Sequence, residues 1–229
     1  MIRDVFLDID DTLLDFHRAE AEALRTTLLQ MGLEPTEHVL RRYSQINLSQ
    51  WKLLEEKKIT RERLLVRRFE LLFEEMGLRA DADRTQWVYE RELGKRSYFL
   101  PDAEDLLREL KAAGYRLHLA SNGTTVVQEP RIQSARLDTY CEGIFLSEAI
   151  GCDKPQKAFF DACFAAIQDF CPENAIIIGD SLSSDIAGGI NAGIKTCWFN
   201  PKGITPVGTV SPDYQISSLL EFLPLLKSL

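Results

Sequence analysis

Hydrophobic and polar positions follow three successive textures along the chain. The first is a short β-rich apolar run over residues 3–9 that ends in carboxylates. A run of this kind reads as a strand buried on both faces. The second texture covers residues 16–97, where apolar residues recur at helical spacing. Leu24, Leu28 and Met31 form one such series, and Leu64, Leu65, Phe69, Leu72, Phe73 and Met76 another. Gly32 and Gly77 stand where helices end, Thr36 and Thr60 where they begin. No convincing strand interrupts this stretch, so it is read as an all-helical insertion.

The third texture starts at Pro101 and alternates. Helices are expected over 102–113, closed by Gly114, over 124–136 and over 155–167, with Ala158, Phe159, Ala162, Ala166 and Ile167 on the apolar side of the last. Pro155 fits the first turn of that helix, with Lys154 just before it. A short glycine-rich helix follows Gly179-Asp180, with Asp185 in its first turn, and another closes the chain from Ser217. Strands are expected over 115–120, 144–146, 175–178 and 196–199, with a last one near Tyr214. Strands alternating with helices imply an α/β fold whose mostly parallel sheet is covered on both faces. Ligands of such sheets bind at the carboxyl ends of the strands.

The composition of the 229 residues, 45% hydrophobic and 27% charged, suits one substantial core carrying a smaller insertion and excludes a disordered, collagen-like or coiled-coil chain. No stretch is long and apolar enough for a transmembrane helix. The start reaches Asp4 and Asp8 too soon for a secretory signal, so the expected compartment is the cytoplasm, with no membrane partner. A net charge of −8 argues against a nucleic-acid polymer as partner. That charge is uneven: residues 16–97 carry 16 basic and 14 acidic side chains, net +2, and the remainder 11 and 21, net −10. Five cysteines without a CxxC pair, and only three histidines, make a zinc site or a disulfide scaffold a poor reading.

Four polar clusters stand at predicted strand ends: Asp8-Ile9-Asp10-Asp11-Thr12, Ser121-Asn122-Gly123, Lys154-Pro155, and Gly179-Asp180 running to Asp185. They are distant in sequence, yet a parallel sheet would bring them to one edge. A hydroxyl and free amides at a strand-to-helix junction suit phosphate oxygens. Four converging carboxylates would repel unless a cation or unusual protonation intervened, and hard oxygen ligands of this kind suit Mg²⁺. Asp11 is read as a solvated loop residue.

The order Asp8-x-Asp10-x-Thr12, Ser121-Asn122, Lys154-Pro155, Gly179-Asp180 with Asp185 resembles the four motifs of the haloacid dehalogenase-like hydrolases, over essentially the whole chain. The resemblance implies a Rossmann-like catalytic core over residues 1–15 and 98–229 and a helical cap over 16–97. It implies Asp8 as the nucleophile that becomes an aspartyl-phosphate, and Asp10 as the acid that protonates the leaving oxygen and then activates water. Mg²⁺ would be held by Asp8, by Asp10 through its backbone carbonyl, and by Asp180, with Asp185 as a further or outer support. Lys154, Ser121, Asn122 and Thr12 would hold the phosphoryl oxygens, Thr12 also ordering the first loop. The second aspartate points to the phosphatase branch of the family.

Within that branch the chain is most similar to pyrimidine 5'-nucleotidase-like members, through Ser121-Asn122-Gly123, the stretch 146–151, Lys154-Pro155, the stretch 185–193 and Thr196-Cys197-Trp198-Phe199-Asn200. The implied substrate is a small phosphomonoester, a pyrimidine nucleoside monophosphate first, processed by a monomer or homodimer. The alternatives are a sugar or organic-acid phosphate such as phosphoglycolate, a phosphosugar mutase, and a phospho-accepting receiver module. A receiver needs neither the helical insertion nor an acid two residues beyond the acceptor. Phe16, His17, Arg18, Tyr43, Trp51, Lys52 and Trp87 are the insertion's candidates for contact with a nucleoside.

Overall fold

The computed structural model describes residues 1–206 and 208–229. The chain opens with β1 (Asp4–Leu7), then runs through four helices, α1 (Phe16–Gln30), α2 (Glu37–Glu55), α3 (Arg61–Met76) and α4 (Ala82–Gly94). Next come α5 (Ala103–Ala112), β2 (Arg116–Ser121), α6 (Thr125–Ser134), β3 (Gly143–Leu146), the one-turn α7 (Ser147–Ile150) and α8 (Lys157–Ala166). The last elements are β4 (Ala175–Gly179), α9 (Ala187–Ala192), β5 (Lys195–Phe199), β6 (Tyr214–Ile216) and α10 (Phe222–Lys227). The strands form one parallel sheet in the order β3-β2-β1-β4-β5-β6.

β1 lies in the middle of this sheet, and all four of its residues are buried. Its side chains alternate between two apolar layers. Val5 and Leu7 enter a core shared with Leu106, Leu107 and Leu110 of α5, Ile132 of α6 and Phe222 of α10. Phe6 points the other way, into Phe159, Phe160 and Cys163 of α8. There it meets Phe160, Phe164 and Phe170 edge-on, with ring centroids 6.5, 5.8 and 6.1 Å away. A parallel sheet covered on both faces needs such uninterrupted apolar strands, which is why the period-2 signal is absent from β1 and β4.

β1 stops at Leu7, two residues short of the apolar run, because the chain curls back on itself: the amides of Leu13 and Leu14 both donate to Ile9 O, at 3.0 and 2.8 Å. Leu14 then bridges antiparallel to Phe99, so the segments leaving and re-entering the sheet layer run side by side. Between them α1 to α4 bury a core of their own, built from Ala23, Leu24 and Leu28, Tyr43 and Ile46, Phe69 and Leu72, and Tyr89 and Leu93, with Val127 of α6 joining it. Thr36 and Thr60 cap α2 and α3 through their side chains, and Gly77 ends α3 at φ 63°, in the left-handed region that glycine tolerates.

Pro155 is not in the first turn of a helix. α8 starts at Lys157, and residues 153–156 form a tight turn closed by the Gln156 amide on Asp153 O, with a cis Lys154-Pro155 bond. Asp11 is not merely solvated: at φ 57° its Oδ1 accepts from the amides of Phe16 and His17, so it covers the free donors at the start of α1.

Truncating Phe6 to Ala should lower the free energy of unfolding by about 3–5 kcal/mol. Trp87→Ala, at a side chain largely exposed on α4, should change it by less than about 0.5 kcal/mol. Urea denaturation of both variants checks the contrast.

Candidate active site

The carboxyl ends of β1, β2 and β4 meet at one edge of the sheet, where the helical layer closes over them. The Asp8 amide donates to Ile178 O across the β1–β4 gap at 3.0 Å, which fixes Asp8 directly beside the exit of β4. Gly179 is required there for space, since a Cβ at that position would lie 2.2 Å from Asp185 Oδ2. The following π-helical turn, Leu182–Ile186, brings Asp185 back over the strand end, where its Oδ2 accepts from the Ser181 amide at 3.1 Å. Asp8, Asp180 and Asp185 thereby each offer an oxygen within 4.8 Å of the others.

Lys154 enters this group from the turn before α8. Its ammonium donates to Asp8 Oδ1 at 2.7 Å, Asp185 Oδ1 at 2.6 Å and Ala120 O at 2.6 Å, so all three protons are used and the side chain is buried. Asn122 holds the Lys154 backbone at two points: its Nδ2 donates to Lys154 O and its Oδ1 accepts from Lys154 N, both at 2.9 Å. Thr12 ties the acids together from beneath, donating to Asp8 Oδ2 at 3.2 Å and accepting from the Asp180 amide at 3.1 Å.

One ammonium among three carboxylates leaves the group short of positive charge. Burial, then the charge of Asp185, pushes the Asp8 carboxyl up to about 7, against the opposing pull of Lys154. Burial and the charges of Asp8 and Asp185 raise Asp180 well above the usual carboxylate range. Lys154 is affected in the opposite sense to a lone buried lysine: burial works against its charge, but Asp185 and Asp8 outweigh it and raise its pKa. Three oxygen donors of this hardness, with excess negative charge, fit a Mg²⁺ ion.

Asp10 lies apart from this triad. It lines the same pocket, but its carboxylate turns to α6, accepting from Arg131 Nη1 at 2.5 Å and from Gln128 Nε2 at 2.7 Å. Gln128 Nε2 also donates to Ser121 Oγ at 2.8 Å. Lys154 thus bonds Asp8, and Ser121 and Asn122 line the same pocket, while Gln128 and Arg131 are residues of that pocket that the sequence reading missed. Their spacing of three places both on one face of α6, but nothing in the sequence marks Arg131 as fully buried.

The pocket, about 240 Å³, runs from Asp8 and Lys154 to the underside of α1, α2 and α3. Of the insertion's candidate residues, Phe16, His17 and Trp51 line it. Tyr43 does not: it is packed inside the helical core against Phe69 and Tyr89. Trp87 faces solvent beneath the Arg91 guanidinium, Arg18 lies over the Tyr98 ring, and Lys52 is exposed. Helical periodicity cannot tell an inward aromatic from a pocket aromatic, since both occupy the apolar stripe. Glu20, Asn47 and Arg68 form a buried polar row in the pocket roof, linked by hydrogen bonds from Asn47 Nδ2 to Glu20 Oε1 and from Arg68 Nη1 to Asn47 Oδ1, each 2.8 Å. Arg61, at the start of α3, reaches across to the sheet edge, donating to Asn122 O at 2.7 Å and Ser147 Oγ at 2.6 Å and pairing with Asp153.

Residues 2–193 match the family model for haloacid dehalogenase-like hydrolases. Bacillus subtilis YfnB is 36% identical over 98% of this chain and 95% of its own. A crystal structure of that protein bound to magnesium superposes with a TM-score of 0.94, covering 98% of each chain. The pyrimidine 5'-nucleotidase PynA of Streptococcus pneumoniae is 35% identical over 96% of this chain and 92% of its own. The pyrimidine 5'-nucleotidase YjjG of Escherichia coli is 28% identical over 94% and 96%.

The raised Asp8 pKa has a consequence for stability. Between the unfolded value of 3.8 and about 7, the folded chain binds the extra proton, so its stability falls as pH rises through that window. Asp8→Asn keeps an acceptor for Lys154 and removes that slope. In EDTA the variant should be more stable than the parent, with the gap widening by on the order of 2 kcal/mol between pH 5 and pH 8. Urea unfolding at the two pH values measures it; a gap that shrinks with pH would contradict the assignment.

Proposed function

The chain belongs to the haloacid dehalogenase-like hydrolase family, and we propose that it is a Mg²⁺-dependent phosphomonoesterase acting through Asp8, with pyrimidine nucleoside monophosphates as its foremost substrates. The observation that carries the reading is the group of Asp8, Asp180 and Asp185, with the buried Lys154 ammonium on Asp8 and Asp185, opening on a pocket.

Asp8 is the nucleophile: its oxygen attacks phosphorus and forms the aspartyl-phosphate as the bond to the leaving oxygen breaks. Asp8, Asp180 and the Asp10 backbone carbonyl, with Asp185 in support, would hold the ion, whose chemistry here is to neutralise phosphoryl charge. Ser121 and the Asn122 amide bind phosphoryl oxygens, and Lys154 joins them with the N–H freed from Asp8 Oδ1 as Asp8 attacks, so that the charge building in the transition state is stabilised. Thr12 donates to Asp8 and accepts from the Asp180 amide, so its part is to order the loop. Asp10 gives its proton to the leaving oxygen, then takes one from the water that releases phosphate.

Residues 16–97 act as the cap and residues 1–15 and 98–229 as the catalytic core. The nucleotide preference is supported by two relatives that carry that activity in their names, and by a pocket that combines the rings of Phe16 and Trp51 with the polar atoms of Ser44, Asn47 and Arg68. A smaller substrate, a sugar or organic-acid phosphate, is the second reading, favoured by a cavity volume of about 240 Å³ that is below the usual range for drug-sized ligands. The five unpaired cysteines accord with a cytoplasmic setting.

Phosphate release from dUMP, dTMP, UMP, AMP, phosphoglycolate and several sugar phosphates, with Mg²⁺ and with EDTA, tests the reading. Mg²⁺-dependent release should be fastest on the pyrimidine nucleotides, and Asp8→Asn should lower kcat by at least ~10⁴-fold while remaining folded. Preference for the sugar or acid phosphates would remove the nucleotidase assignment and keep the chemistry. No release from any ester would overturn both.

A further inference from the structure

Gln128 and Arg131 on α6 have no part in the chemistry described so far, yet they account for both oxygens of Asp10. Arg131 Nη1 donates to Oδ1 at 2.5 Å and Gln128 Nε2 to Oδ2 at 2.7 Å. The two are joined to each other by Arg131 Nη1 on Gln128 Oε1 at 2.8 Å. Gln128 spends its remaining contact on Ser121 Oγ, and Arg131 Nε donates to Arg96 O at 2.9 Å on the segment returning from the helical layer. Both side chains are fully buried, whereas the Asp10 side chain is 27% exposed toward the pocket. The turn before α6 leaves room for this arrangement: a Cβ on Gly123 would lie 2.5 Å from Gln128 Nε2.

We infer that Gln128 and Arg131 are positioning residues for Asp10, fixing the direction in which its carboxyl faces the leaving oxygen. The inference rests on the phosphomonoesterase reading above. A buried guanidinium is costly, and an apolar residue of similar length would fill the same space at less cost if packing were its only task. The contact with Asp10 is what the charge supplies. Each carboxyl oxygen has a second lone pair, which can carry the proton donated to the ester oxygen while both partners stay in place. In the first half-reaction its proton passes to the leaving oxygen as the Asp8–phosphorus bond forms. In the second it takes a proton from water as the water oxygen bonds to phosphorus and the Asp8–phosphorus bond breaks. Both transfers require the same carboxyl in the same place, and a misplacement of about 1 Å costs on the order of 10²-fold in rate. The chain of contacts Ser121, Gln128, Asp10, Arg131 also links that carboxyl to a hydroxyl assigned to phosphate, so the acid and the phosphoryl site share one frame.

The test uses leaving-group dependence, which a purely structural role would not move. kcat and KM are measured with Mg²⁺ for the parent chain, Asp10→Asn, Arg131→Lys, Arg131→Met and Gln128→Met, on UMP and on p-nitrophenyl phosphate, whose leaving group departs without a proton. Asp10→Asn defines the signature in kcat/KM, which reports the half-reaction that expels the leaving group and not the hydrolysis common to both esters: a large loss on UMP and a small one on the aryl ester. Gln128→Met and Arg131→Lys should show the same signature in weaker form, about 10- to 100-fold on UMP and less than about 3-fold on the aryl ester. Gln128→Met introduces no charge imbalance, so the test stands even where Arg131→Met does not fold. Equal losses of kcat/KM on both esters, or no loss in Gln128→Met and Arg131→Lys, would overturn the inference while leaving the phosphomonoesterase reading intact. If Asp10→Asn itself showed no leaving-group selectivity, the acid role of Asp10 would fail and the inference with it. An inactive parent chain would overturn the reading beneath both.

Discussion

The Lys154 ammonium is the point on which the sheet edge depends. Three carboxylates cannot share a buried space at neutral pH on their own, because each ionisation raises the cost of the next. Lys154 reduces that cost for two of them directly, through 2.7 and 2.6 Å bonds to Asp8 and Asp185, and anchors itself on Ala120 O of β2. The ammonium therefore joins the ends of β1 and β2 to the turn after β4. Its backbone is immobilised by the two-point clamp from Asn122, so it is fixed at both ends of the side chain. The remaining imbalance, visible in the raised Asp8 and Asp180 carboxyls, is the physical reason this edge suits a divalent cation and an anion together.

The topology makes that convergence possible. From β1 the chain builds outward through β2 and β3 on one side, then crosses to build β4, β5 and β6 on the other. The connections part at the boundary between β1 and β4, and at such a switch point the carboxyl ends leave a crevice for ligand. Asp8 ends one flanking strand and Asp180 follows the other, bridged by the Asp8 amide on Ile178 O and by the Thr12 hydroxyl on the Asp180 amide. Phe6, two residues before Asp8 and packed edge-on against Phe160 and Phe164 of α8 and against Phe170, keeps β1 from shifting along its neighbours. A shift of one residue would turn Asp8 to the opposite face.

Much of this was readable in advance because burial and chemistry coincide at strand ends. Asp8, Asp180 and Asp185 are carboxylates at the close of apolar runs, and Lys154 is a cation near them, so composition and position point the same way. The residues that escaped are those whose burial contradicts their type. Arg131 is fully buried and Arg68 nearly so, although arginine is ordinarily a surface residue. Arg61 meets the sheet edge through partners 61 to 92 positions away in sequence, a contact no local pattern encodes. Tyr43 and Trp87 share the helical spacing of pocket residues, yet one packs inward and the other faces water; only the packing of four helices decides between them. Lys154-Pro155 reads in sequence as a helix start and folds as a turn, because proline suits both settings.

The helical layer carries the charge that the sheet edge lacks. Its net charge of +2 against −10 elsewhere is expressed locally by two arginines rather than by the surface as a whole. Arg61 sits in the seam, holding the layer down through Asn122 O, Ser147 Oγ and Asp153, and so touches the same asparagine that clamps Lys154. Arg68 lies in the pocket roof with neutral acceptors, Asn47 Oδ1 at 2.8 Å and Gln86 Oε1 at 2.7 Å, and with the Tyr89 ring 4.9 Å away. Amide dipoles and an aromatic face satisfy its hydrogen bonds without cancelling its charge, as a direct carboxylate partner would. Glu20 and Glu90 line the same pocket and feel that charge, so the roof is a mixed polar surface rather than a positive one. Under the proposed function, a phosphate ester with its anionic end on the acidic floor would present its leaving group to that mixed roof. Under that reading the helical layer meets the leaving group, through Arg68, Asn47 and Glu20, while the sheet edge meets the phosphorus.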